Sequence, residues 1–351
     1  MIDGTDRVQT AAGAPTDIEG YDYDLPPSLI AQTPVEPRDS SRLLIVPPLG
    51  ALGDRSFRDL PDFVQPNDLL VVNDSRVIPA RLLGERAGGG RAELLLLRST
   101  ALREWECLAK PARRLPAGTA LHFGSIAGRV LDRAENGSVI VGFDADDEAL
   151  FAAGEMPLPP YIRAYRGDGE RYQTVYARHR GSVAAPTAGL HFTDTLLSQL
   201  RERGAQVASV TLHVGVGTFR PLPSGPLAEQ HMHAEWCEVP IETAQAICRA
   251  HEVGGRVIAV GTTCVRTLES AALASRDTSL DPFAGWTDLF ITPGFRFQAV
   301  DALLTNFHLP RSSLLVLVSA FAGAERISQA YKHAIAEQYR FYSFGDAMLL
   351  L

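Results

Sequence analysis

The sequence is short of several features that mark specialised classes of protein. Its four cysteines are widely separated and lack metal-ligand spacing, so we expect free thiols in a reducing cytoplasm rather than a disulfide framework or a zinc site. No apolar run approaches the ~20 residues that a membrane span needs. The net charge of −8 argues against a basic nucleic-acid-binding surface over the whole chain, although a local basic patch is compatible with it.

The start of the chain also lacks an expected pattern. Residues 1–20 are polar and do not show the basic-then-apolar order of a signal peptide, so we expect a disordered leader. In all, 46% of the 351 residues are hydrophobic and 21% are charged, as in ordinary globular proteins. That length is enough for about two domains.

The middle of the chain has the texture of an all-β domain. Between residues 78 and 143, short apolar or alternating runs are separated by glycines such as Gly88-Gly89-Gly90. Asn136-Gly137 between two such runs is a strong hairpin signal. Strands at this spacing predict a small antiparallel barrel or sandwich. We therefore predict a β domain inserted at residues 76–155.

Strands and helices alternate through the rest of the chain. A helix is predicted to begin after Thr193 and to end at Gly204. Buried strands are predicted at Ala205–Val214, Arg256–Val260, Asp288–Ile291 and Ala302–Thr305. Such alternation is typical of an α/β layer or barrel with mostly parallel strands. We predict that residues 21–75 and 156–351 form this barrel-like α/β main domain.

Polar loops follow four of the predicted strands. In parallel α/β architectures the carboxyl ends of the strands meet at one rim, where sites form. The loops begin at His213, Gly261, Thr292 and Thr305. Gly261-Thr262-Thr263 at a helix start suits a carboxylate or phosphate, because its free N–H groups and the helix dipole attract anions. The sequence has no Walker loop and no complete dinucleotide-binding glycine pattern.

Two further groups of residues each have competing interpretations. His231, His233 and Glu235 resemble part of a metal site. His233 and Glu235, two residues apart, would share a strand face, so a third ligand must come from elsewhere, and a catalytic or plain structural role competes with metal binding. Arginines with interleaved tyrosines suit unpaired RNA bases, whereas solvated loop arginines are the simpler reading. The RNA-binding candidates are Arg76, Arg81, Arg163, Arg178 and Arg180.

Five longer motifs resemble one family. They are Asn73-Asp-Ser-Arg-Val-Ile-Pro-Ala-Arg81, Ala185-Pro-Thr-Ala-Gly-Leu-His-Phe192, Gly261-Thr-Thr-Cys-Val-Arg-Thr-Leu-Glu269, Thr305-Asn-Phe-His-Leu-Pro310 and Tyr339-Arg-Phe-Tyr-Ser-Phe-Gly-Asp-Ala-Met348. The chain resembles the S-adenosylmethionine:tRNA ribosyltransferase-isomerase family of queuosine biosynthesis over nearly its whole length. The leader is a departure from the family pattern, and Cys264 stands where Ser or Thr is expected, so no role is given to that thiol.

The resemblance implies an activity. The ribosyl part of S-adenosylmethionine moves to 7-aminomethyl-7-deazaguanine at the tRNA wobble position and isomerises to an epoxycyclopentane, giving epoxyqueuosine, adenine and methionine. The resemblance also implies an α/β main domain with an inserted Greek-key β barrel. S-adenosylmethionine would be a substrate, with no metal and no recycled cofactor. The expected partner is tRNA carrying the deazaguanine precursor, with no membrane association, and a cytoplasmic monomer is the working expectation.

This chemistry assigns candidate roles to the polar loops. The sulfonium acidifies the 5′ hydrogens, so a base is needed, and the departure of adenine favours an acid. Because His is the usual proton shuttle near neutral pH, the predicted acid/base set is His191, His213, His233, Glu235 and His308. The predicted ligands of the methionine carboxylate are Thr262, Thr263 and Arg266. Thr187 and Asn306 are assigned to ribose or adenine. Arg340 and Asp346 either close the rim or form a structural pair.

Two other functions stay open at this stage. A non-catalytic RNA-binding protein would need only the inserted domain and its arginines, which leaves the converging loops without a purpose. A metal-dependent hydrolase would use His231, His233 and His308, and would contain stoichiometric zinc.

Overall fold

The chain folds into two units, described separately below. The structure is a computed structural model that describes residues 13–134, 137–163, 165–215, 217, 222–276 and 279–351. The main unit consists of the chain up to Ser75, Pro160–His179 and Pro186–Leu351. The inserted unit consists of Arg76–Pro159 and Arg180–Ala185, so it extends past the predicted end at residue 155 and gains a second short segment.

The beginning of the main unit corrects the expected leader. Residues 1–12 lie outside the described residues. Ile18 is fully buried, and Ile18–Tyr21 forms a 3-10 helix. Thr16 accepts a hydrogen bond from the Leu227 amide at 2.8 Å. A disordered leader reaching Gly20 is therefore wrong, because one apolar side chain within the polar stretch packs into the main core.

The first strands belong to the main unit and are mostly buried. They are β1 (Arg42–Val46), β2 (Gly53–Ser56) and β3 (Leu69–Asn73). A 3-10 helix at Phe57–Phe63 begins with a capping box formed by Ser56 and Asp59. All five residues of β3 are buried, as expected for a strand that is covered on both faces. The short strand β4 (Ser75–Val77) follows.

The inserted unit is a closed antiparallel barrel of six strands. The strands are β5 (Arg81–Arg86), β6 (Arg91–Ala101), β7 (Glu104–Lys110), β8 (Ala120–Phe123), β9 (Ile126–Arg133) and β10 (Val139–Phe143), followed by helix α1 (Asp147–Ala153). Their order around the barrel is β10-β7-β6-β5-β8-β9. Alternate residues of β6 are buried, which gives the barrel its inside and outside. The predicted antiparallel barrel is confirmed. Asn136 of the predicted hairpin turn lies outside the described residues, but β9 and β10 do pair antiparallel.

The remaining elements complete the main unit, apart from β11, which pairs with β4 in a separate two-stranded sheet. The strands are β11 (His179–Ser182), β12 (Gln206–Leu212), β13 (Glu235–Val239), β14 (Val257–Val260), β15 (Phe283–Thr287), β16 (Ala302–Asn306) and β17 (Ala347–Leu350). The helices are α2 (Asp194–Glu202), α3 (Ile241–Glu252), α4 (Thr262–Ala274), α5 (Ser313–Ala322) and α6 (Ala324–Ala336). The helix expected after Thr193 is confirmed as α2, with the Thr193 hydroxyl as its cap. None of the helices in the described ranges is long and apolar enough to cross a bilayer.

The main sheet has nine strands in the order β15-β13-β12-β3-β14-β16-β17-β1-β2. The contiguous strands β12, β3, β14 and β16 run parallel, and so do β1 and β17. Every other neighbouring pair is antiparallel. The prediction of a barrel-like, mostly parallel main domain is therefore wrong. β17 follows two helices instead of one, so the chain re-enters the sheet in the opposite direction.

One predicted strand is misplaced, and the central strands of the sheet are covered on both faces. The strand expected at Asp288–Ile291 is wrong, since β15 ends at Thr287 and its side chains alternate between burial and exposure, as on an edge strand. Along β3, Leu69 and Val71 face one core, whereas Leu70 and Val72 face another. The central strands are thus covered on both sides, and only their ends meet solvent.

Candidate active site

The carboxyl ends of the central parallel strands carry a dense set of polar residues. Asp74 follows β3, His213 follows β12, Gly261 follows β14, and Asn306 ends β16. Because these strands are parallel, the four positions share one edge of the sheet. Three of the four predicted loops are therefore brought together. The loop at Thr292 is set apart from this group, since four residues outside any strand separate it from the end of the edge strand β15 at Thr287.

A chain of hydrogen bonds joins the Thr187–His191 turn to β16. The Thr187 hydroxyl donates to Asn306 Oδ1 at 2.8 Å, and Asn306 Nδ2 lies 3.2 Å from His191 Nε2. Asn306 Nδ2 also donates to the Asp346 carbonyl at 3.4 Å, which sets the amide orientation. His191 Nε2 is therefore an acceptor, and Nδ1 carries the proton that is donated to Ser41 Oγ at 2.7 Å.

His191 and His308 are buried, neutral histidines. Burial, with the nearby charges of Arg340, Arg171 and Arg38, lowers the pKa of His191 to about 3. Burial alone lowers the pKa of His308 to about 3. His308 Nε2 lies 3.0 Å from the Thr305 hydroxyl. Both rings are hydrogen-bonded within the fold, so their surroundings favour anchoring the loops over shuttling protons; the acid/base roles stay predictions.

Glu235 and Arg266 form a buried ion pair. The Arg266 Nη1 group contacts Glu235 Oε2, and the amide of Gly215 donates to Glu235 Oε1 at 2.7 Å. Arg266 also donates to the carbonyls of Leu289 at 3.0 Å and Thr287 at 3.2 Å. Each guanidinium nitrogen thus has a protein acceptor, and both carboxylate oxygens are occupied. The pair links α4 to β13 and to the Gly215 loop.

His213 and His233 have the more open positions of the predicted set. The His213 ring stacks on Trp236, with centroids 5.5 Å apart, and its Nδ1 is buried without a hydrogen-bond partner among the described residues. Burial, followed by the charge of His179, lowers the pKa of His213. Its imidazole is therefore neutral, with one ring nitrogen uncommitted. His233 is exposed and lies beside Gly217, where a Cβ would approach its Cδ2 to 3.0 Å.

The first turn of α4 has backbone amides that could bind an anion. Gly261 precedes it with a φ of +93°, a conformation that favours glycine. A Cβ at Gly261 would lie 3.6 Å from Ala188, so this helix start sits beside the Thr187–His191 turn. The amides of Thr262 and Thr263 have no intrahelical acceptor. The Thr263 hydroxyl is buried and has no hydrogen-bond partner within the described chain.

Asp74, Thr174 and Tyr176 were missed as site residues. The Thr174 and Tyr176 hydroxyls are buried and unpartnered among the residues the structure covers. Asp74 is 4% exposed, and burial raises its pKa. Its signal in the sequence was its place directly after the apolar run of β3. The tyrosine and threonine carried no such signal, because their burial depends on distant parts of the chain.

The tail residues Arg340 and Asp346 contact each other and also bind backbone groups of other segments. Asp346 accepts hydrogen bonds from the amides of Arg42 at 2.9 Å and Arg340 at 2.8 Å. The Arg340 guanidinium donates to the carbonyls of Thr33 at 3.1 Å and Phe344 at 2.8 Å. Of the two alternatives considered for this pair, these contacts favour the structural one.

The arginines proposed for RNA differ in how far their charge is already compensated. Arg81 pairs with Glu93 at 3.0 Å and Glu155 at 3.6 Å, and Arg180 pairs with Glu148 at 2.6 Å. Arg163 is exposed, and its side chain has no ion pair in the part of the chain described. Arg178 is exposed beside Asp74, and Arg76 is half-buried.

Comparison with known proteins identifies the family. A family model described as "Queuosine biosynthesis protein" matches residues 18–350. The S-adenosylmethionine:tRNA ribosyltransferase-isomerase of Moorella thermoacetica is 55% identical and covers 95% of this chain and 99% of its own. The enzyme of the same name from Gloeobacter violaceus is 53% identical, with 95% of each chain covered. The crystal structure of an S-adenosylmethionine tRNA ribosyltransferase from Thermotoga maritima is 40% identical, covers 94% of this chain and 99% of that one, and has a TM-score of 0.55. With a match of this extent, the chain belongs to the queuosine biosynthesis protein family.

Proposed function

We propose that this protein is an S-adenosylmethionine:tRNA ribosyltransferase-isomerase. The observation that carries the proposal is the convergence of the five family motifs. Asn306 bonds to Thr187, His191 and the Asp346 carbonyl, and so joins three of the motifs. Gly261 begins the fourth, 3.6 Å from Ala188 as measured to its would-be Cβ. Asp74 of the fifth follows the neighbouring strand β3.

The substrates are S-adenosylmethionine and tRNA carrying 7-aminomethyl-7-deazaguanine at the wobble position. The aminomethyl nitrogen takes the ribosyl group, which isomerises to the epoxycyclopentane of epoxyqueuosine, and adenine and methionine leave. The amine of the RNA base is the nucleophile, so no protein nucleophile is required. We propose that the reaction needs no metal or recycled cofactor, and that the enzyme works as a cytoplasmic monomer.

The contacts of the site refine the proposed roles. The free amides of Thr262 and Thr263 at the start of α4 receive the methionine carboxylate. Arg266 supports that helix from its pair with Glu235 instead of contacting the ligand. Among the predicted acid/base residues, His213 is best suited to proton transfer, since its Nδ1 is unpartnered among the described residues. Thr187 and Asn306 set the ribose and adenine side of the site.

The inserted barrel is proposed to be a Greek key that contacts the tRNA. Its strands β5, β6 and β7 are consecutive neighbours, and β8 returns to lie beside β5. The order β8-β5-β6-β7 matches the pattern in which a fourth strand lies next to the first. Arg76, Arg81 and Arg180 of this unit, and Arg163 and Arg178 of the main unit, are the proposed contacts with RNA.

A single assay tests the proposed activity. The enzyme is incubated with S-adenosylmethionine and with tRNA that does or does not carry the aminomethyl-deazaguanine base. Adenine and methionine should appear together, and only with the modified tRNA. Binding of that tRNA without release would favour a non-catalytic RNA-binding protein. Stoichiometric zinc, with activity lost on chelation, would favour a hydrolase.

A further inference from the structure

The buried carboxylates of this protein differ in how many donors they meet. Those other than Asp74 each accept hydrogen bonds from at least two groups of other residues; they are Asp68, Glu106, Glu235, Glu269 and Asp346. Among the described residues, Asp74 accepts one from another residue, the Thr211 hydroxyl, at 2.7 Å from Oδ1. Its second oxygen, Oδ2, accepts no hydrogen bond from another described residue, and the His179 ring nitrogen Nε2 lies 3.7 Å away.

The small number of hydrogen bonds to the buried Asp74 carboxylate destabilises the fold, which suggests that this residue is kept for a function. A buried carboxylate without enough donors loses free energy of hydration that the fold does not replace. The neighbouring Asn73 fixes the backbone at this point. Its Oδ1 accepts from the amides of Ser75 at 3.0 Å and Leu212 at 3.1 Å, and its Nδ2 donates to the Leu212 carbonyl at 3.0 Å. Asn73 thus locks the end of β3 to β12 and fixes the residue that follows.

The position of Asp74 is that of a site residue. It stands at the carboxyl end of β3, between the ends of β12 and β14, at the edge that carries His213 and Gly261. Its charge acts on Tyr176, which lies against Gly189 of the Thr187–His191 turn, and on Cys264 of helix α4. Burial raises the pKa of Tyr176 and of the Cys264 thiol well above their usual values, and the charge of Asp74 adds to both effects.

We propose that Asp74 is the general base of the ribosyl transfer and isomerisation, which rests on the activity proposed above. The carboxylate removes a 5′ hydrogen of S-adenosylmethionine. The C–H bond breaks, its electron pair stays on the 5′ carbon as a sulfonium ylide, and the proton forms an O–H bond on Asp74. His179 provides the exit for this proton, because its ring is 63% exposed and lies 3.7 Å from Oδ2.

The test compares Asp74→Asn and Asp74→Glu with a matched pair elsewhere in the main unit. Asp301 and His251 form an Asp–His contact at 3.0 Å, near the opposite, amino end of the parallel strands. Asp301→Asn is therefore the control, and it should leave turnover unchanged. Adenine release with modified tRNA, binding of S-adenosylmethionine by calorimetry, and thermal unfolding are measured for each protein.

We expect Asp74→Asn to bind S-adenosylmethionine as the wild type does, while adenine release falls by about 100-fold or more. Retention of more than about a tenth of the wild-type rate, or a loss of binding that matches the loss of rate, would overturn the proposal. No release by the wild type would refute the activity itself, and the role of Asp74 with it.

The dependence of rate on pH separates a base from a structural residue. The groups that face Asp74 are His179, Arg178, Tyr176, Cys264 and the Thr211 hydroxyl. Asp74→Glu should keep part of the activity and shift the acidic limb of the rate profile. This variant also decides the matter should Asp74→Asn fail to fold. Wild-type rate and an unmoved acidic limb in Asp74→Glu would contradict the proposal.

Discussion

Because Gly189 has no side chain, the turn that carries Thr187 and His191 can pack closely against Tyr176. A Cβ at Gly189 would lie 2.1 Å from the Tyr176 phenol oxygen and 2.8 Å from Thr174 Cγ2. Gly189→Ala is therefore expected to lower the free energy of unfolding by about 1–3 kcal/mol, because the buried phenol must move. Adenine release should also fall, since the turn holds Thr187 against Asn306. Urea unfolding and the turnover assay measure the two effects.

A double-mutant cycle assigns the clash to one atom. Tyr176→Phe removes a hydroxyl that has no partner among the described residues, so this variant alone should change stability little. In the Gly189→Ala background it should restore part of the loss. Gly53→Ala is the control, because a Cβ there would meet, within 4 Å and among the described residues, just the Ile45 side chain, at 3.4 Å. Equal losses for Gly189→Ala and Gly53→Ala would contradict the steric explanation.

For individual residues, features set by neighbouring positions, such as helix caps, could be predicted from the sequence, whereas contacts with distant residues could not. The cap Thr193 could be predicted, because capping involves the next three residues. The partner of His191 could not, since Ser41 lies 150 positions earlier. The same limit applied to Arg266: nothing in its motif indicated that Glu235 already occupies its guanidinium.

At the scale of elements, the first turn and the second half of helix α4 make different kinds of contact. Its first turn faces the site, whereas Glu269 anchors the segment leading to β16 by accepting the amides of Gln298, Ala299 and Val300 at 2.9–3.1 Å. Burial, opposed by these three hydrogen bonds, raises the pKa of Glu269 to about 7. The second half of the helix is thus tied to this segment by a carboxyl whose pKa is near neutrality.

This pKa predicts how stability depends on pH. A pKa raised above its unfolded value favours the protonated folded state. Its contribution is complete below the unfolded pKa of 4.5 and is lost as the pH rises through about 7. The stability difference between wild type and Glu269→Gln should therefore shrink by at most about 3 kcal/mol between about pH 4.5 and 8. Urea unfolding of both proteins over this range measures it, and a constant difference would refute the assignment.

The elements themselves could be predicted wherever the apolar pattern is local. The helix after Thr193 and the strands at Ala205–Val214, Arg256–Val260 and Ala302–Thr305 were expected near where α2, β12, β14 and β16 lie. Strand direction was less accessible, because it depends on how many helices lie between two strands. For that reason β17 was not foreseen as antiparallel to β16. The edge strand β15 was misplaced because its Gly-Trp alternation lacks a continuous apolar run.

For the whole molecule, the question is how an acidic protein binds an anionic partner. The inserted unit has 12 basic and 11 acidic side chains, so the main unit, with 21 basic and 30 acidic ones, accounts for the negative net charge of −8. Of the arginines assigned to tRNA, Arg81 and Arg180 already neutralise carboxylates. Binding must then depend on the few whose charge is uncompensated, and Arg163 is the clearest of these in the part of the chain described.

Salt dependence tests this account. Neutralising a phosphate releases bound cations, so tRNA affinity should fall steeply as salt rises. Arg163→Gln should reduce the slope of log affinity against log salt by about 1. Arg81→Gln is the matched control, and it should change the slope less, because Glu93 and Glu155 compensate that charge. Filter binding over a series of salt concentrations gives the three slopes. A flat response in the wild type, or equal changes in both variants, would contradict docking through uncompensated arginines.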